Sequence, residues 1–192
     1  MILTEEKLKA IFSKAPADKI KAYGPIFGKA CEEMGFNTPK RIAALLGQIG
    51  VESGELRYDK ELPSKYNKKD PKDASEPVGT LYEGRKNLGN LQAGDGPKFI
   101  GRGVLQLTGR ANYELYGKKL GIDLANKPEL ACSPEVSVKI ACQYFLDRKL
   151  HEAADKWDLD TITLKVNGTG KLHHDQRVAY SEKALKVLEG VV

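Results

Sequence analysis

The sequence predicts a mainly α-helical fold with a small β region, and three observations lead to that prediction. Near both ends of the chain, apolar residues recur at i, i+3 and i+4 spacing, as they do on the buried face of an amphipathic helix. Between residues 58 and 103, prolines and glycines break every long periodicity. The 192 residues are 41% hydrophobic and 30% charged, which is enough apolar material for a folded core and excludes a disordered chain.

Three helices are predicted within the first 57 residues. The first begins at the candidate N-cap Thr4, and the second ends at Gly35. Thr38 and Pro39 supply a cap and a first-turn proline for the third helix, which ends near Gly54. Four further helices are predicted in the last third of the chain, over residues 112–120, 134–150, 159–166 and 178–188.

The middle of the chain is predicted to form a loop-rich region. A loop of this length inside a compact domain is uncommon and is usually functional or disordered. Short strands are predicted over Thr80–Tyr82 and Phe99–Leu107, which would give a small β lobe. We therefore expect one domain over residues 1–192, with a helical lobe of about residues 1–57 and 109–192 and a loop- and β-rich lobe of about residues 58–108.

Composition excludes several classes of protein. The chain has 31 basic and 26 acidic residues, a net charge of +5, without a strongly basic block, so we expect no nucleic-acid partner. No run approaches the ~20 apolar residues of a membrane span, so we expect no stable membrane insertion. Cys31, Cys132 and Cys142 lack metal-ligand spacing and are expected to be free, mostly buried thiols.

Two motifs that could suggest ligand binding fail on their spacing. The stretch Gly168–Lys171 lacks the full pattern of a phosphate-binding loop. The adjacent pair His173 and His174 has no further spaced ligands. We therefore expect neither a metal nor a cofactor.

Glu52 is the first candidate catalytic residue. It follows Leu45 by seven residues and Ile49 by three, which places it on the apolar face of the third helix near the C-terminus of that helix. Burial and the negative end of the helix dipole both disfavour a charged carboxyl at such a position, and a carboxylic acid kept neutral can act as a general acid. The pattern also fits a glutamate that extends into solvent from a helix end.

Glu61 is the second candidate. It lies nine residues after Glu52, beyond the third helix. Carboxyls from different elements can face each other across a cleft, and glycoside hydrolysis uses such a pair. From the spacing alone, a solvated loop glutamate is equally consistent.

Residues 99–113 offer neutral hydrogen-bonding groups. Alternation places Gln106 and Thr108 on the face opposite the neighbouring leucines, and Asn112 follows shortly after. These side chains suit sugar hydroxyls, N-acetyl groups or a positioned water. An edge strand with an ordinary polar face would show the same pattern.

Five segments, in order along most of the chain, resemble glycoside hydrolase family 19, the family that includes the plant-type chitinases. The similarity is greatest to the phage endolysin and bacterial chitinase-like branch of that family. The segments are residues 43–54 (AALLGQIGVESG), 56–62 (LRYDKEL), 81–96 (LYEGRKNLGNLQAGDG), 99–113 (FIGRGVLQLTGRANY) and 166–177 (VNGTGKLHHDQR). The resemblance implies a lysozyme-like, two-lobed helical fold with a small β region beside the cleft, and a single catalytic domain over residues 1–192.

The resemblance also implies roles for individual residues. Glu52 would be the general acid, and Glu61 would be the general base that activates a water held with the help of Thr108. The reaction would be inverting hydrolysis of a β-1,4 bond between N-acetylated amino sugars, with the carboxyls about 6.5–9.5 Å apart. Arg177 would support Glu52 through a charged network. The full set implied to line the substrate cleft is Gln106, Asn112, Tyr113, Asn167 and Arg177.

The chain departs from the family pattern at three places. Val51 stands where the family has a histidine before the acid. The glycine-rich segment is shortened at residues 168–171, and the disulfide cysteines of the plant enzymes are missing.

The branch resemblance implies a monomeric endolysin, a lysozyme-like hydrolase that cuts the glycan strands of peptidoglycan. The first residues lack the pattern of a secretory signal, so such an enzyme would be made in the host cytoplasm and would act on the cell wall after release. Two alternatives remain open: a chitinase acting on chitin, and a non-catalytic glycan-binding protein on the same fold.

Overall fold

The structure is a computed structural model that describes residues 1–190, and it is mostly helical, as predicted. Almost all of its regular structure is helix, joined by short turns and one long loop. In chain order the helices are α1 (Glu5–Ile11), α2 (Ala17–Glu33), α3 (Pro39–Glu52), α4 (Asp95–Lys98), α5 (Arg110–Leu120), α6 (Pro134–Asp147), α7 (Leu150–Asp155), α8 (Leu159–Asn167) and α9 (His174–Glu189).

The N-terminal helices begin where the sequence predicts. The hydroxyl of Thr4 accepts a hydrogen bond from the Lys7 backbone N–H at the start of α1. Thr38 caps α3 in the same way, through the N–H of Arg41. α3 therefore has a fixed start, and its last residue is Glu52.

α3 and α9 pack closely along their lengths. A Cβ at Gly47 of α3 would collide with Ser181 of α9 and would lie 2.8 Å from the backbone oxygen of Arg177. Only glycine permits this approach. The close contact brings Arg177, on α9, beside the C-terminal end of α3.

Buried apolar side chains form two clusters. The larger unites helices α1, α2, α3, α6, α7, α8 and α9. The smaller takes Phe99 and Leu107 from the segment before α5, together with residues from Tyr113 to Ile140. The smaller cluster thus crosses residue 108, so the predicted boundary between the lobes is not a boundary of the core.

The two predicted strands are wrong. Thr80–Tyr82 forms a turn of 3₁₀ helix, and Phe99–Leu107 contributes only isolated bridges, of Arg102 with Lys60 and with Leu107. The alternation in residues 104–108 was misleading because Gly103 and Gln106 both have positive φ, which folds the segment back on itself. Across residues 1–190, the small β region beside the cleft consists of these bridges.

The long loop is tied together by polar contacts. Glu83 accepts hydrogen bonds from the backbone N–H groups of Gly94 (2.6 Å) and Gly96 (2.7 Å). Asp95 is buried and pairs with Arg110 at 2.5 Å. The Arg110 guanidinium holds the pKa of the Asp95 carboxyl below its ordinary value. Glu83, Asp95 and Arg110, which hold the loop, lie in the segments 81–96 and 99–113 that carry much of the family resemblance.

Three C-terminal helices have bounds that differ from the predicted ones. α6 ends at Asp147 rather than 150, because Lys149 adopts a left-handed backbone and α7 follows as a separate helix. α5 begins at Arg110, two residues early, and α9 begins at His174, four residues before the apolar pattern starts. None of the helices formed by residues 1–190 combines the length and apolar character that crossing a bilayer requires.

The cysteine prediction is confirmed. Cys31, Cys132 and Cys142 are free; Cys31 and Cys142 are buried, and Cys132 is partly buried. Burial raises the pKa of Cys142 well above its ordinary value and so disfavours the reactive thiolate.

Candidate active site

Glu52 is the last residue of α3 and is paired with a buried guanidinium. Its Oε1 accepts a hydrogen bond of 2.6 Å from Nη2 of Arg177, whose side chain is only 2% exposed. Nη1 of Arg177 donates to Gln48 Oε1 at 2.7 Å, and Nε donates to the Leu172 carbonyl at 3.1 Å. The guanidinium is thereby fixed, and it fixes the orientation of the Glu52 carboxyl.

The surroundings of Glu52 differ from those expected for a buried, unpaired acid. The side chain is 24% exposed, so it reaches solvent while its helix neighbour Ile49 is fully buried. The opposite charge of Arg177 stabilises the carboxylate that Glu52 becomes once it has given up a proton. The charged support that the resemblance implies for Glu52 is present as a single ion pair with Arg177.

A rigid turn connects Glu52 to the strand-like stretch that carries Glu61. Gly54, Glu55 and Leu56 all have φ near +60°, an uncommon conformation for the last two. Buried contacts hold the turn. The Glu55 carboxylate accepts from the Tyr180 hydroxyl and the Lys14 N–H, both at 2.7 Å, and Leu56 packs in the core. Both oxygens of the Glu55 carboxylate therefore accept hydrogen bonds that hold the turn, and Glu55 is not placed to act as a second base.

Glu61 is held by three donors. Its Oε1 accepts from the backbone N–H of Gly101 at 2.7 Å, and its Oε2 accepts from Asn67 Nδ2 and the Tyr82 hydroxyl, each at 2.8 Å. Burial and the hydrogen bond to Glu61 raise the pKa of Tyr82 above its ordinary value, so Tyr82 remains a donor. Glu61 is therefore an oriented hydrogen-bond acceptor.

Thr108, Gln106 and Glu61 meet around Gly101. A Cβ at Gly101 would lie 2.9 Å from Gln106 Oε1, 3.2 Å from Thr108 Oγ1 and 3.5 Å from Glu61 Cβ. The Thr108 hydroxyl donates to the Gln106 carbonyl at 2.8 Å, which leaves its oxygen lone pairs able to accept. Glu61 and Thr108, expected to act together, are thus neighbours.

A cavity of about 270 Å³ adjoins these residues. Gln106, Thr108 and Asn112 line it, and Glu52 and Glu61 lie outside its wall. Asn112 is oriented by a hydrogen bond from its amide to the Thr108 carbonyl at 2.8 Å. Three of the residues predicted to bind substrate or water therefore lie together on one concave surface.

Three further predicted substrate residues lie elsewhere. Arg177 is 2% exposed and its guanidinium donates to Glu52, Gln48 and the Leu172 carbonyl, so it supports Glu52 and does not line the cavity. Tyr113 has no exposed surface, and its hydroxyl donates to the Ile100 carbonyl at 2.7 Å, so the prediction that it contacts substrate is wrong. The start of α5 turns this ring into the smaller core, against Phe99. Asn167 ends α8, and its Oδ1 accepts from the Leu172 N–H at 2.6 Å, which closes the shortened loop 168–172.

Asn67 and Tyr82 were missed by the sequence analysis. Both lie in the long loop, and each donates to Glu61. Tyr82 falls within the segment LYEGR that carries part of the family resemblance, and this was the available signal. Asn67 lies in a lysine-rich stretch with no comparable signal.

The decisive comparison is with protein-family models, where the model described as "Chitinase class I", the glycoside hydrolase family 19 model, matches residues 24–156. That match covers more than half of the chain. The chain belongs to glycoside hydrolase family 19. Family 19 membership makes it a glycoside hydrolase.

Relatives of known sequence agree with the family 19 assignment. A glycosyl hydrolase family 19 domain-containing protein from Haemophilus influenzae is 29% identical over 186 residues, covering 88% of both chains. An acidic 27 kDa endochitinase from Solanum lycopersicum is 32% identical over 143 residues, covering 69% of this chain and 50% of the relative. The chain thus spans about half the length of the tomato protein.

Solved structures show the same fold. A bacterial family 19 chitinase superposes with a TM-score of 0.72 at 22% identity, covering 98% of this chain and 95% of that one. Chitinase C from Streptomyces griseus HUT6037 gives 0.65 at 22% identity, with 98% and 77% covered. The lysozyme-like helical fold expected of family 19 is therefore confirmed.

Tyr82→Phe tests the support of Glu61 in this family 19 enzyme. The change removes one of three hydrogen bonds to a charged acceptor, and we expect kcat/KM for glycan hydrolysis to fall about tenfold to a hundredfold. Tyr66→Phe is the matched control, since Tyr66 is an exposed tyrosine of the same loop, and its activity should be that of the unaltered enzyme. Equal activity in both variants would show that Tyr82 does not support the site.

Proposed function

We propose that the protein hydrolyses the β-1,4 bonds of peptidoglycan glycan strands with inversion, using Glu52 as general acid and Glu61 as general base. The observation that carries this proposal is the contrast between the two carboxyls. Oε1 of Glu52 accepts a hydrogen bond from the Arg177 guanidinium, and within residues 1–190 its Oε2 has no hydrogen-bond donor. By contrast, both oxygens of Glu61 accept hydrogen bonds, from Asn67, Tyr82 and the Gly101 N–H.

The proposed reaction assigns one proton transfer to each carboxylate. A water attacks the anomeric carbon, and Glu61 takes a proton from that water as the new C–O bond forms. The glycosidic C–O bond breaks, its electron pair goes to the leaving oxygen, and that oxygen takes the proton of Glu52. Arg177 stabilises the resulting Glu52 carboxylate. Thr108 Oγ1, close to Glu61, accepts a hydrogen bond from the attacking water.

The choice of peptidoglycan rests on the branch of the family that the sequence resembles. The net charge of +5 is compatible with an anionic cell wall. Chitin is the second candidate, because several relatives are named as endochitinases and the superposed structures are of chitinases. Both polymers present the N-acetylated amino sugars that an inverting acid–base pair would cleave.

Digestion of the two polymers in parallel tests the proposal. Purified peptidoglycan and a chitin hexamer are each incubated with the enzyme, and the new reducing ends are identified by mass spectrometry. We expect peptidoglycan to be cleaved with the higher kcat/KM. Release of fragments from chitin alone would make the protein a chitinase, and the new reducing end assigns the cut as that of a muramidase or a glucosaminidase.

A further inference from the structure

Arg148 is a cationic residue on the wall of the cavity beside the active site. It directly follows α6 and lines the cavity of about 270 Å³ together with Gln106, Thr108 and Asn112. Neither the motif comparison nor the acid–base mechanism uses it. Its side chain is exposed to solvent.

The Arg148 guanidinium is held in place by two tyrosines. Its central carbon lies 3.7 Å from the centroid of the Tyr144 ring, a close cation–π stack. Its Nη1 donates a hydrogen bond of 3.1 Å to the Tyr116 hydroxyl, and both tyrosines also line the cavity. Although exposed, the group therefore has a fixed position, which lowers the entropy lost when it binds a ligand.

The charge of Arg148 is uncompensated within the part of the chain that the structure describes. No carboxylate of residues 1–190 lies within 4.0 Å of it. The adjacent Asp147 pairs instead with Lys119 at 2.5 Å. Arg102, the other arginine of the cavity wall, is likewise in none of these ion pairs, but its Nη1 donates to the Lys98 carbonyl and the Tyr113 hydroxyl, and the latter is buried.

The cavity wall that carries Arg148 adjoins the proposed base. Gln106 and Thr108 line the cavity, and both meet Glu61 around Gly101, where a Cβ would lie 2.9 Å from Gln106 Oε1, 3.2 Å from Thr108 Oγ1 and 3.5 Å from Glu61 Cβ. A glycan bound for cleavage beside Glu61 would therefore place substituents of neighbouring sugars within reach of the cavity.

We propose that Arg148 is a specificity-determining residue that binds a carboxylate carried on alternate sugars of the peptidoglycan strand. This inference rests on the proposed function. Peptidoglycan carries a lactyl group with an acidic peptide stem on every second sugar, whereas chitin is unsubstituted and neutral. A planar guanidinium with free N–H groups matches a carboxylate in two-point geometry, and here it would favour the charged polymer.

Arg148→Gln tests the proposal through the ratio of kcat/KM on two substrates. The substrates are soluble, uncrosslinked peptidoglycan strands and a chitin hexamer. We expect the ratio of peptidoglycan to chitin activity to fall about tenfold, mainly through KM for peptidoglycan. Arg148→Lys keeps the positive charge but loses the planar pair of N–H donors, and it should give an intermediate ratio. Rising ionic strength should lower the ratio for the unaltered enzyme more than for Arg148→Gln.

Lys149→Gln is the matched control, because it removes the same charge from the next residue, which is exposed and lies outside the cavity wall. Its ratio should equal that of the unaltered enzyme. In intact strands the lactyl carboxyl forms the amide bond to the peptide stem, so the free carboxylates of those strands belong to the stem. An amidase removes the stem and frees the lactyl carboxylate. Loss of the Arg148→Gln effect on amidase-treated strands identifies the stem carboxylates as the ligand, and a persistent effect shows that Arg148 binds a carboxylate at the lactyl position.

Three outcomes would overturn the inference. An equal loss on both substrates would mean that Arg148 only holds Tyr144 and Tyr116 in place. An unchanged ratio, while the unaltered enzyme cleaves peptidoglycan, would refute the role of Arg148 and leave the proposed function intact. No cleavage of peptidoglycan by the unaltered enzyme would refute the proposed substrate itself, and the inference with it.

Discussion

Glu52→Gln should lower kcat about 10³-fold, equivalent to about 4 kcal/mol of transition-state stabilisation. The amide has no acidic proton for the leaving oxygen, yet its carbonyl can still accept the hydrogen bond from Arg177. We therefore expect the thermal unfolding midpoint to stay within a few degrees of that of the unaltered enzyme. Initial rates on solubilised glycan strands, with circular dichroism on the same samples, measure both quantities.

Asp155→Asn is the matched control for Glu52→Gln. Asp155 pairs with Arg41 at 2.7 Å near the start of α3, the helix that ends at Glu52. This control removes the carboxylate partner of Arg41, which lies at the opposite end of α3 from Glu52, and it should leave kcat unchanged. Full activity in Glu52→Gln would refute the assignment of the acid.

Glu61→Gln should also lower kcat by about 10²- to 10⁴-fold, because an amide cannot take the proton of the attacking water. The effect on stability should be larger than for Glu52→Gln. One oxygen becomes an NH₂ group that faces the Gly101 N–H or the donors Asn67 and Tyr82, and an unmade buried hydrogen bond costs about 1–3 kcal/mol. Rate measurements well below the unfolding midpoint separate the two effects.

Two companion variants keep the test of Glu61 decisive. Glu61→Asp retains a carboxylate on a shorter side chain and should recover part of the lost stability. Asp59→Asn removes an alternative base, whose carboxylate pairs with Lys19 at 2.5 Å, and the kcat of this variant should fall by less than tenfold. If Glu61→Gln turns over at a near-normal rate while Asp59→Asn is inactive, the general base is Asp59 and not Glu61.

The helices that position the acid were predictable because their signals are local. Thr4 and Thr38 form their caps, and the apolar spacing of α3 leads directly to Glu52. The carboxyls themselves stood out only through the family resemblance, since helix-end and loop glutamates are common. Their separation stays a prediction.

The parts of the site that could not be predicted depend on how the long loop folds. Tyr82 reaches Glu61 across 21 residues because the loop folds back, and Asn67 reaches it across six residues within the same loop; no spacing in the sequence encodes either contact. Tyr113 was misplaced because its motif suggested a cleft residue, whereas the direction of its side chain is set by packing against Phe99. Local patterns therefore gave the helices, and tertiary packing decided which polar groups meet.

The stereochemistry of the product tests the pairing of Glu52 and Glu61 most directly. Proton NMR during the first minutes of hydrolysis of soluble β-1,4-linked strands reports the anomer formed at the new reducing end, before mutarotation. An inverting acid–base pair predicts that the α anomer appears first. Initial release of the β anomer would mean retention, and it would contradict the assignment of Glu61 as a base that activates water.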